Sequence, residues 1–302
     1  MDEYDRVKGW RNAQPVGAVR DTWPPRFIVV AVSGHKMPDW FAHLRRRPLN
    51  ARTAPGVGPG RRVYAIGDVH GCLAQLQALH AMIVADNARR SAANVTVVYV
   101  GDYIDRGPDS RQVLDLVRRP LAGVTTTVHL KGNHEDMLQQ FLRDAARGAD
   151  WLDNGGLQTL TSFKVEAHGR NRGLEMTRAA LAVTREALLV ALGPELQDWL
   201  ERLPLSHQIG EYFFCHAGIR PGVALADQNP VDLLWIREPF LQSRRDHGAV
   251  IVHGHTPGSA AEVRRNRINI DTGCFASGEL TAAVFDGDAA VTLLATTGTV
   301  TA

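Results

Sequence analysis

Short apolar runs alternate with amphipathic stretches from Arg61 onward, and this rhythm predicts a βαβαβα unit. Strands are predicted at residues 63–66, 95–100 and 126–130, and helices at residues 73–85, 110–118 and 135–146. Later apolar segments are short and separated by Gly, Pro and Asn turns, which predicts strands at residues 212–215, 250–252, 268–270, 280–285 and 290–295. A parallel half followed by a β-rich half predicts an α/β (α+β) fold of two packed β-sheets flanked by helices.

Residues 148–203 interrupt the strand rhythm with a mainly helical pattern. Residues 178–192 are amphipathic, and Pro194 stands at the first turn of another predicted helix that reaches Leu203. We therefore expect a helical cap over the sheet edge, inserted into one domain that spans residues 61–302.

Residues 1–60 are rich in Pro, Gly and Arg and have no sustained periodicity, which predicts a flexible leader. An apolar run at residues 27–32 leaves a secretory signal as an alternative, although it is short and lacks a small-residue cleavage site. Met37 precedes an arginine cluster at residues 45–47, so a natural start at Met37 would make residues 1–36 an upstream extension. The arginine cluster is typical of a solvated face, with binding to an anionic surface as the alternative.

Composition narrows the class of partner. The 302 residues are 44% hydrophobic and 22% charged with a net charge of +2, as in ordinary globular proteins, so charge alone indicates neither nucleic acid nor a membrane. No stretch approaches the roughly 18 apolar residues of a membrane span. Three widely spaced cysteines do not suggest a disulfide framework, which favours a reducing cytoplasm. The oligomeric state stays open.

Polar side chains follow the predicted strands in five loops with the sequences GDVHG (67–71), GDYIDRG (101–107), GNHE (132–135), HAG (216–218) and GHT (254–256). The carboxyl ends of strands are where open α/β sheets place their chemistry. Six candidate metal ligands stand in these loops: Asp68, His70, Asp102, Asn133, His216 and His255. Each one alone is typical of a turn or of a hydrogen-bonded histidine. Their order, each after an apolar run, indicates one metal centre.

The blocks GDVHG, GDYIDRG and GNHE resemble the signature blocks of the calcineurin-like metallophosphoesterases, specifically the phosphoprotein phosphatases. The resemblance continues through His216 and His255 and covers residues 61–295. It implies two packed mixed β-sheets with flanking helices and a site for two divalent metal ions. One metal would be held by Asp68, His70 and Asp102, and the other by Asp102, Asn133, His216 and His255. Mixed Asp, His and Asn ligands favour manganese, with iron or zinc as alternatives.

Phosphate-ester hydrolysis needs a nucleophile, charge neutralisation and a proton for the leaving group. Two metals bridged by Asp102 would lower the pKa of a bridging water, so hydroxide would attack phosphorus directly. Arg106 and Arg237 are candidates for binding phosphate oxygens. His134 is the predicted general acid, oriented by Asp105.

Structural roles are expected for two further residues, Glu135 and Trp151. Glu135 is interpreted as a first-turn acid of the helix that follows GNHE, favoured by the helix dipole. Trp151 is expected to pack between the cap and the sheet.

The second and third blocks resemble those of the serine/threonine phosphatases at three positions, Tyr103, Asp105 and Glu135. The favoured substrate is therefore phosphoserine or phosphothreonine in proteins. A diadenosine tetraphosphatase, acting on a phosphorylated small molecule, is the alternative. Residues 271–275 read DTGCF where eukaryotic members have Ser-Ala-Pro-Asn-Tyr, which favours a bacterial type. A catalytically silent binding module would lack a ligand or the proton donor, and none is missing. A nuclease would need a basic groove with interleaved aromatic residues, which is not evident.

Overall fold

The computed structural model describes residues 55–90, 92, 94–168 and 177–296. The predicted leader, the apolar run at residues 27–32 and the start at Met37 lie outside these residues, apart from residues 55–60. Val57 is buried, and the carbonyl oxygen of Pro55 accepts a hydrogen bond from the Tyr212 hydroxyl at 2.9 Å. The packed part of the chain therefore begins no later than Pro55.

The described residues contain ten strands in two five-stranded sheets. The strands are β1 Arg61–Ile66, β2 Asn94–Tyr99, β3 Thr126–His129, β4 Ser206–Ile209, β5 Tyr212–Cys215, β6 Val250–His253, β7 Glu262–Val263, β8 Arg267–Asn269, β9 Thr281–Asp286 and β10 Thr292–Ala295. One sheet has the order β10-β9-β1-β2-β3 and the other the order β4-β5-β6-β8-β7. In the first sheet β1, β2 and β3 are parallel to one another, and in the second sheet β5, β6 and β8 are. The other strand pairings are antiparallel.

Helices follow most of the parallel strands. Their bounds are α1 Leu73–Ala88, α2 Ser110–Val117, α3 Asn133–Arg143, α4 Gly148–Trp151, α5 Leu157–Ser162, α6 Arg178–Glu201, α7 Pro230–Trp235 and α8 Cys274–Ser277. A π-helical turn at Leu152–Gly156 joins α4 to α5, with Gly155 at a φ angle of 106°. None of the described helices is both long and apolar enough to cross a membrane.

Alternate side chains of strand β1 are buried in two different hydrophobic cores. Val63 and Ala65 face the core between the sheets, whereas Tyr64 and Ile66 belong to the core beneath the helices. Because both faces are buried, the strand is a continuous apolar run rather than an alternating one. A third apolar cluster, which includes Phe213 of β5, covers the outer face of the second sheet.

The predicted arrangement of two mixed sheets flanked by helices is confirmed. The predictions omitted strands β4 and β7 and helices α7 and α8. Strand β4 reads Ser-His-Gln-Ile and lies at a sheet edge, where half-exposed polar side chains hide the strand pattern. Strand β7 has two residues, which is too short for any periodicity.

Register brings the site loops together. Ile66 pairs with Tyr99, and Tyr99 pairs with His129, so the loops after β1, β2 and β3 leave the same edge of the first sheet. In the second sheet the backbone N–H of Gly254 donates to the carbonyl oxygen of His216 at 2.8 Å, which joins the loops after β5 and β6.

Candidate metal centre

Backbone conformation distinguishes the loops after β1, β2 and β6. Among the described non-glycine residues, six have a positive φ angle, and five of these belong to the predicted site. They are His70 at 45°, Asp102 at 54°, Asp105 at 71°, Arg106 at 67° and His255 at 66°. Left-handed backbone costs a non-glycine residue about 1–3 kcal/mol, and such strain clusters at functional sites.

Asp102 lies at the centre of the predicted ligands. Its Oδ2 is 3.4 Å from Nε2 of His70 and 3.5 Å from Nε2 of His216. Ligand atoms of Asp68, Asp102 and His216 lie within 4.8 Å of one another, and so do those of His70, Asp102 and His134. These groups differ from the predicted division of ligands between two metals, because His134 joins one of them. Asp102 nevertheless belongs to both, as a bridging carboxylate would.

Backbone carbonyls fix the tautomers of two histidines. Nδ1 of His70 is 2.8 Å from the carbonyl oxygen of Ile104, and Nδ1 of His216 is 3.0 Å from that of Val100. Because a carbonyl only accepts, Nδ1 carries the proton and Nε2 presents a lone pair to the site. Burial lowers the pKa of both histidines, which favours the neutral form that binds metals.

Asn133 joins the loops of the two sheets. Its Oδ1 is 2.8 Å from Nε2 of His216 and 2.8 Å from Nδ1 of His255. Since Nε2 of His216 has a lone pair, two acceptors face each other at hydrogen-bond distance. The backbone N–H of His255 also donates to Asp68 Oδ2 at 2.9 Å. The six predicted ligands therefore form one cluster between the two sheets.

This cluster fits divalent cations. Among the described residues, Asp68 Oδ1 is buried without a hydrogen-bond partner. Burial and the nearby carboxylates of Asp271 and Asp102 raise the pKa of Asp68 well above its ordinary value. A cation would give these carboxylates a positive partner. Gly254 and Gly132 leave the space that the carboxylates occupy, because a Cβ atom at either position would collide with Asp68 or Asp102.

His134 and Asp105 form a buried pair beside the cluster. Nδ1 of His134 donates to Asp105 Oδ2 at 2.7 Å. Burial lowers the pKa of His134, but Asp102 and Asp105 together raise it by more, so its pKa lies above the ordinary value. Nη1 of Arg106 donates to Nε2 of His70 at 2.8 Å, and Nη2 lies 3.0 Å from Nε2 of His134. The guanidinium thus borders the cluster where it meets the predicted acid.

Arg237 lies near His255. It is half-buried, and its charge adds to burial and His216 in lowering the pKa of His255. The structure therefore brings all ten predicted site residues into or beside one cluster. Their assigned roles stay predictions.

Glu135 does more than the sequence predicts. It lies in the first turn of α3 as expected, but it is fully buried and its carboxylate accepts four backbone hydrogen bonds. The donors are the N–H groups of Asp102 at 2.9 Å, Tyr103 at 2.8 Å, Ile104 at 3.4 Å and Gly132 at 2.9 Å. Its place three residues after the N-cap, the position of a capping-box acid, was the available signal.

Three aromatic or hydroxyl residues reach the site without a local sequence signal. Trp151 and Thr159 donate hydrogen bonds to Asp105, although only packing is predicted for Trp151. Phe275 is 42% exposed, and the Arg106 guanidinium carbon lies 4.7 Å from its ring centroid. These contacts join segments distant in sequence, so no local pattern predicts them.

A family model described as calcineurin-like phosphoesterase matches residues 61–282. The chain belongs to the calcineurin-like phosphoesterases. It is a hydrolase of the metallophosphoesterase superfamily, and the clustered Asp and His ligands in a member of this family imply divalent metal ions.

Similar proteins include two different activities. A bis(5'-nucleosyl)-tetraphosphatase PrpE (asymmetrical) from Anoxybacillus flavithermus is 29% identical over 252 residues, which cover 72% of this chain and 87% of the relative. Serine/threonine-protein phosphatase 1 from Salmonella typhimurium is 30% identical over 231 residues, which cover 74% and 91%. A solved structure provisionally assigned as a diadenosine tetraphosphatase has a TM-score of 0.54 and 22% identity and covers 80% of this chain and 98% of its own. That structure supports the fold alone.

Proposed function

We propose that this chain hydrolyses bis(5'-nucleosyl) tetraphosphates with the help of two divalent cations. The observation that carries the hydrolysis is Asp102, shared by two groups of ligand atoms and lying beside the His134–Asp105 pair. The residues that would hold the cations are Asp68, His70, Asp102, Asn133, His216 and His255. When bound, such cations supply charge neutralisation and a nucleophile at neutral pH. Manganese is favoured by the mixed ligand set, with iron and zinc as alternatives.

The side chains beside the cluster account for phosphate binding and proton transfer. Arg106 would bind two phosphate oxygens through parallel hydrogen bonds from its guanidinium, and Arg237 near His255 would bind a further oxygen. Asp105 holds Nδ1 of His134, and Nε2 lies 3.9 Å from Asp102 Oδ2. His134 can therefore deliver a proton from Nε2 to the leaving oxygen.

Two observations support a dinucleotide as the substrate. Several relatives, from Anoxybacillus flavithermus, Halalkalibacterium halodurans and Oceanobacillus iheyensis, are named bis(5'-nucleosyl)-tetraphosphatase. The exposed ring of Phe275 beside Arg106 offers an aromatic surface on which a nucleobase can stack next to the phosphate site. We therefore propose a dinucleoside tetraphosphate as the substrate, rather than phosphoserine or phosphothreonine.

Protein dephosphorylation is kept as the second candidate. The Salmonella typhimurium phosphatase is 30% identical to this chain, and the motif residues Tyr103, Asp105 and Glu135 favour this class. Both candidates use the same ligands and the same proton donor, so the choice concerns only the substrate that the site admits.

Parallel hydrolysis assays test the proposal. Diadenosine tetraphosphate, a phosphothreonine peptide and a phosphotyrosine peptide would be compared in manganese and after chelation. We expect manganese-dependent hydrolysis with a preference for the dinucleotide, abolished in Asp102→Asn but retained in Asp198→Asn, a control on the exposed surface of α6. A preference for phosphothreonine would establish the second candidate instead. Hydrolysis of none of the three by metal-loaded protein would contradict both.

We also propose a cytoplasmic location. Cys72, Cys215 and Cys274 are all free and buried, which fits a reducing compartment. Fractionation of native cells with an antibody would test it, and recovery outside the cytoplasmic fraction would contradict it.

A further inference from the structure

The carboxylate of Asp105 receives hydrogen bonds from three side chains. Nδ1 of His134 donates to Oδ2 at 2.7 Å, Nε1 of Trp151 donates to Oδ2 at 2.9 Å, and Oγ1 of Thr159 donates to Oδ1 at 2.6 Å. None of these four residues is more than 1% exposed. Two of the three donors come from the helical insertion between α3 and α6, so the partner of His134 is itself held from outside the metal-binding loops.

The same insertion also holds the backbone at Asp105 and Arg106. Both residues have left-handed backbone, with φ angles of 71° and 67°. The N–H of Asp105 donates to Oγ1 of Thr159 at 3.0 Å, and the N–H of Arg106 donates to the carbonyl oxygen of Gly155 at 3.2 Å. These bonds stabilise a conformation that is unfavourable without them.

Packing fixes the indole ring of Trp151. The ring is fully buried and stacks on Phe141 of α3, with the ring centroids 5.2 Å apart. Gly156 lies against the indole so closely that a Cβ atom there would be 2.6 Å from two ring carbons. The direction of the Nε1–H bond is therefore set by the core of the insertion.

We propose that Trp151 and Thr159 are positioning residues for proton transfer, acting through Asp105 on His134. They orient the Asp105 carboxylate so that it holds Nδ1 of His134 and directs Nε2 toward the leaving oxygen. In that step the Nε2–H bond breaks as the O–H bond of the leaving group forms. The inference rests on the proposed function, in which His134 is the proton donor.

Leaving-group dependence separates this role from a merely structural one. Loss of a proton donor slows esters with poor leaving groups and spares those with good ones, whereas damage to the metal cluster slows both. Phenyl phosphate and 4-nitrophenyl phosphate supply a poor and a good leaving group. The readouts are kcat and KM for each ester, together with bound metal per protein.

Each variant removes one hydrogen-bond donor to the Asp105 carboxylate. The Trp151 variant also loses ring volume, and the Thr159 variant also loses the acceptor of the Asp105 N–H, so each has a control with the same substitution elsewhere. Trp151→Phe removes the indole N–H, and Thr159→Val removes the hydroxyl. Trp199→Phe and Thr184→Val are matched controls, because Trp199 packs beside His129 and Thr184 donates within α6. His134→Asn is the reference for complete loss of the donor.

We expect Trp151→Phe and Thr159→Val to lower kcat for phenyl phosphate about 10-fold or more relative to 4-nitrophenyl phosphate, with unchanged metal content. His134→Asn should show a larger loss of the same kind, and both controls should resemble wild type. Equal losses on the two esters in Trp151→Phe and Thr159→Val, beside a selective loss in His134→Asn, would overturn the inference alone. A non-selective loss in His134→Asn would remove the proposed donor and the inference with it.

Discussion

At the scale of single residues, the two acids in the first turn of α3 have different surroundings. Glu135 is buried and accepts hydrogen bonds from backbone N–H groups in the loops after β2 and β3. Asp136 is half-buried, and its carboxylate accepts a hydrogen bond from Gln140 one turn later. Only Glu135 therefore ties together the two loops that carry Asp102 and Asn133.

Neutralising each acid should separate loop anchoring from the helix dipole. In Glu135→Gln an amide NH₂ replaces one acceptor oxygen and faces backbone donors, so buried N–H groups lose their partner. We expect the free energy of unfolding to fall by roughly 2–5 kcal/mol. Asp136→Asn should cost less than about 1 kcal/mol, the usual dipole effect. Urea unfolding of the metal-free proteins measures both, and equal losses would favour the dipole interpretation of Glu135.

Phe275 provides a test of substrate class. If its ring stacks on a nucleobase, Phe275→Leu should raise KM for diadenosine tetraphosphate by roughly 5- to 150-fold, because base stacking contributes about 1–3 kcal/mol. Phe275→Trp should retain or lower KM. Neither change should alter KM for 4-nitrophenyl phosphate, which has no base, by a comparable factor.

Steady-state kinetics on the two substrates give these values. Val263→Ala, an exposed apolar residue of β7, is the control. Equal rises in KM for both substrates would mean that Phe275 acts only by supporting Arg106.

Residue types at strand ends were sufficient to predict the cluster, but not the backbone that forms it. Asp102 has a φ angle of 54°, which its own sequence does not favour. Its carbonyl oxygen accepts from the N–H groups of Val69 and His70 at 3.0 and 2.9 Å, so the conformation depends on a loop more than 30 residues earlier. Glu135 adds a third distant contact. Local sequence patterns do not predict these contacts between distant segments.

At the scale of elements, the π-helical turn between α4 and α5 is where the insertion meets the site. Gly155 has a φ angle of 106°, and a Cβ atom there would lie 2.6 Å from the backbone nitrogen of Arg106. Gly193, at the kink within α6, also has a positive φ angle of 70°, but a Cβ atom there would meet nothing within 4 Å. The two glycines share a positive φ angle that strains other residues, but only Gly155 lies against another segment of the chain.

Alanine at each glycine should therefore have different consequences for activity. Both Gly155→Ala and Gly193→Ala should destabilise the fold by about 1–3 kcal/mol through backbone strain. Only Gly155→Ala should also displace Arg106, lowering kcat/KM on the order of 10- to 100-fold. Urea midpoints and kinetics at saturating manganese measure the two effects. Equal kcat/KM values in the two variants would show that activity does not depend on the close contact between Gly155 and Arg106.

The same region shows what periodicity predicts at this scale. The break at Pro194 is predicted correctly, because proline is tolerated in the first turn of a helix and Gly193 supplies the positive φ angle before it. The π-helical turn is not predicted, because the helical pattern of residues 148–203 does not show that the helix type changes at the two glycines 155 and 156. Their conformation follows from the close approach of Arg106 and Trp151.

At the scale of the whole molecule, the first sheet and its helices share a core that includes a buried polar pair. His80 of α1 and Tyr99 of β2 are 93% or more buried, and the Tyr99 hydroxyl lies 2.7 Å from Nε2 of His80. Burial lowers the pKa of His80 to about 4. A histidine with a lowered pKa is protonated in the unfolded chain before it is protonated in the folded one.

His80 should therefore make the stability of the molecule depend on pH in a defined window. Its contribution is complete above about pH 6.5 and is lost as the pH falls toward 4, by about 3 kcal/mol in total. In metal-free protein, His80→Gln should remove this component, so the difference in unfolding free energy between wild type and variant should shrink by that amount from pH 7 to pH 4. Tyr99→Phe keeps the burial that lowers the pKa and should keep the pH dependence. Parallel pH profiles for wild type and His80→Gln would show that His80 is protonated in the folded molecule at an ordinary pH, and that the core around it opens to water.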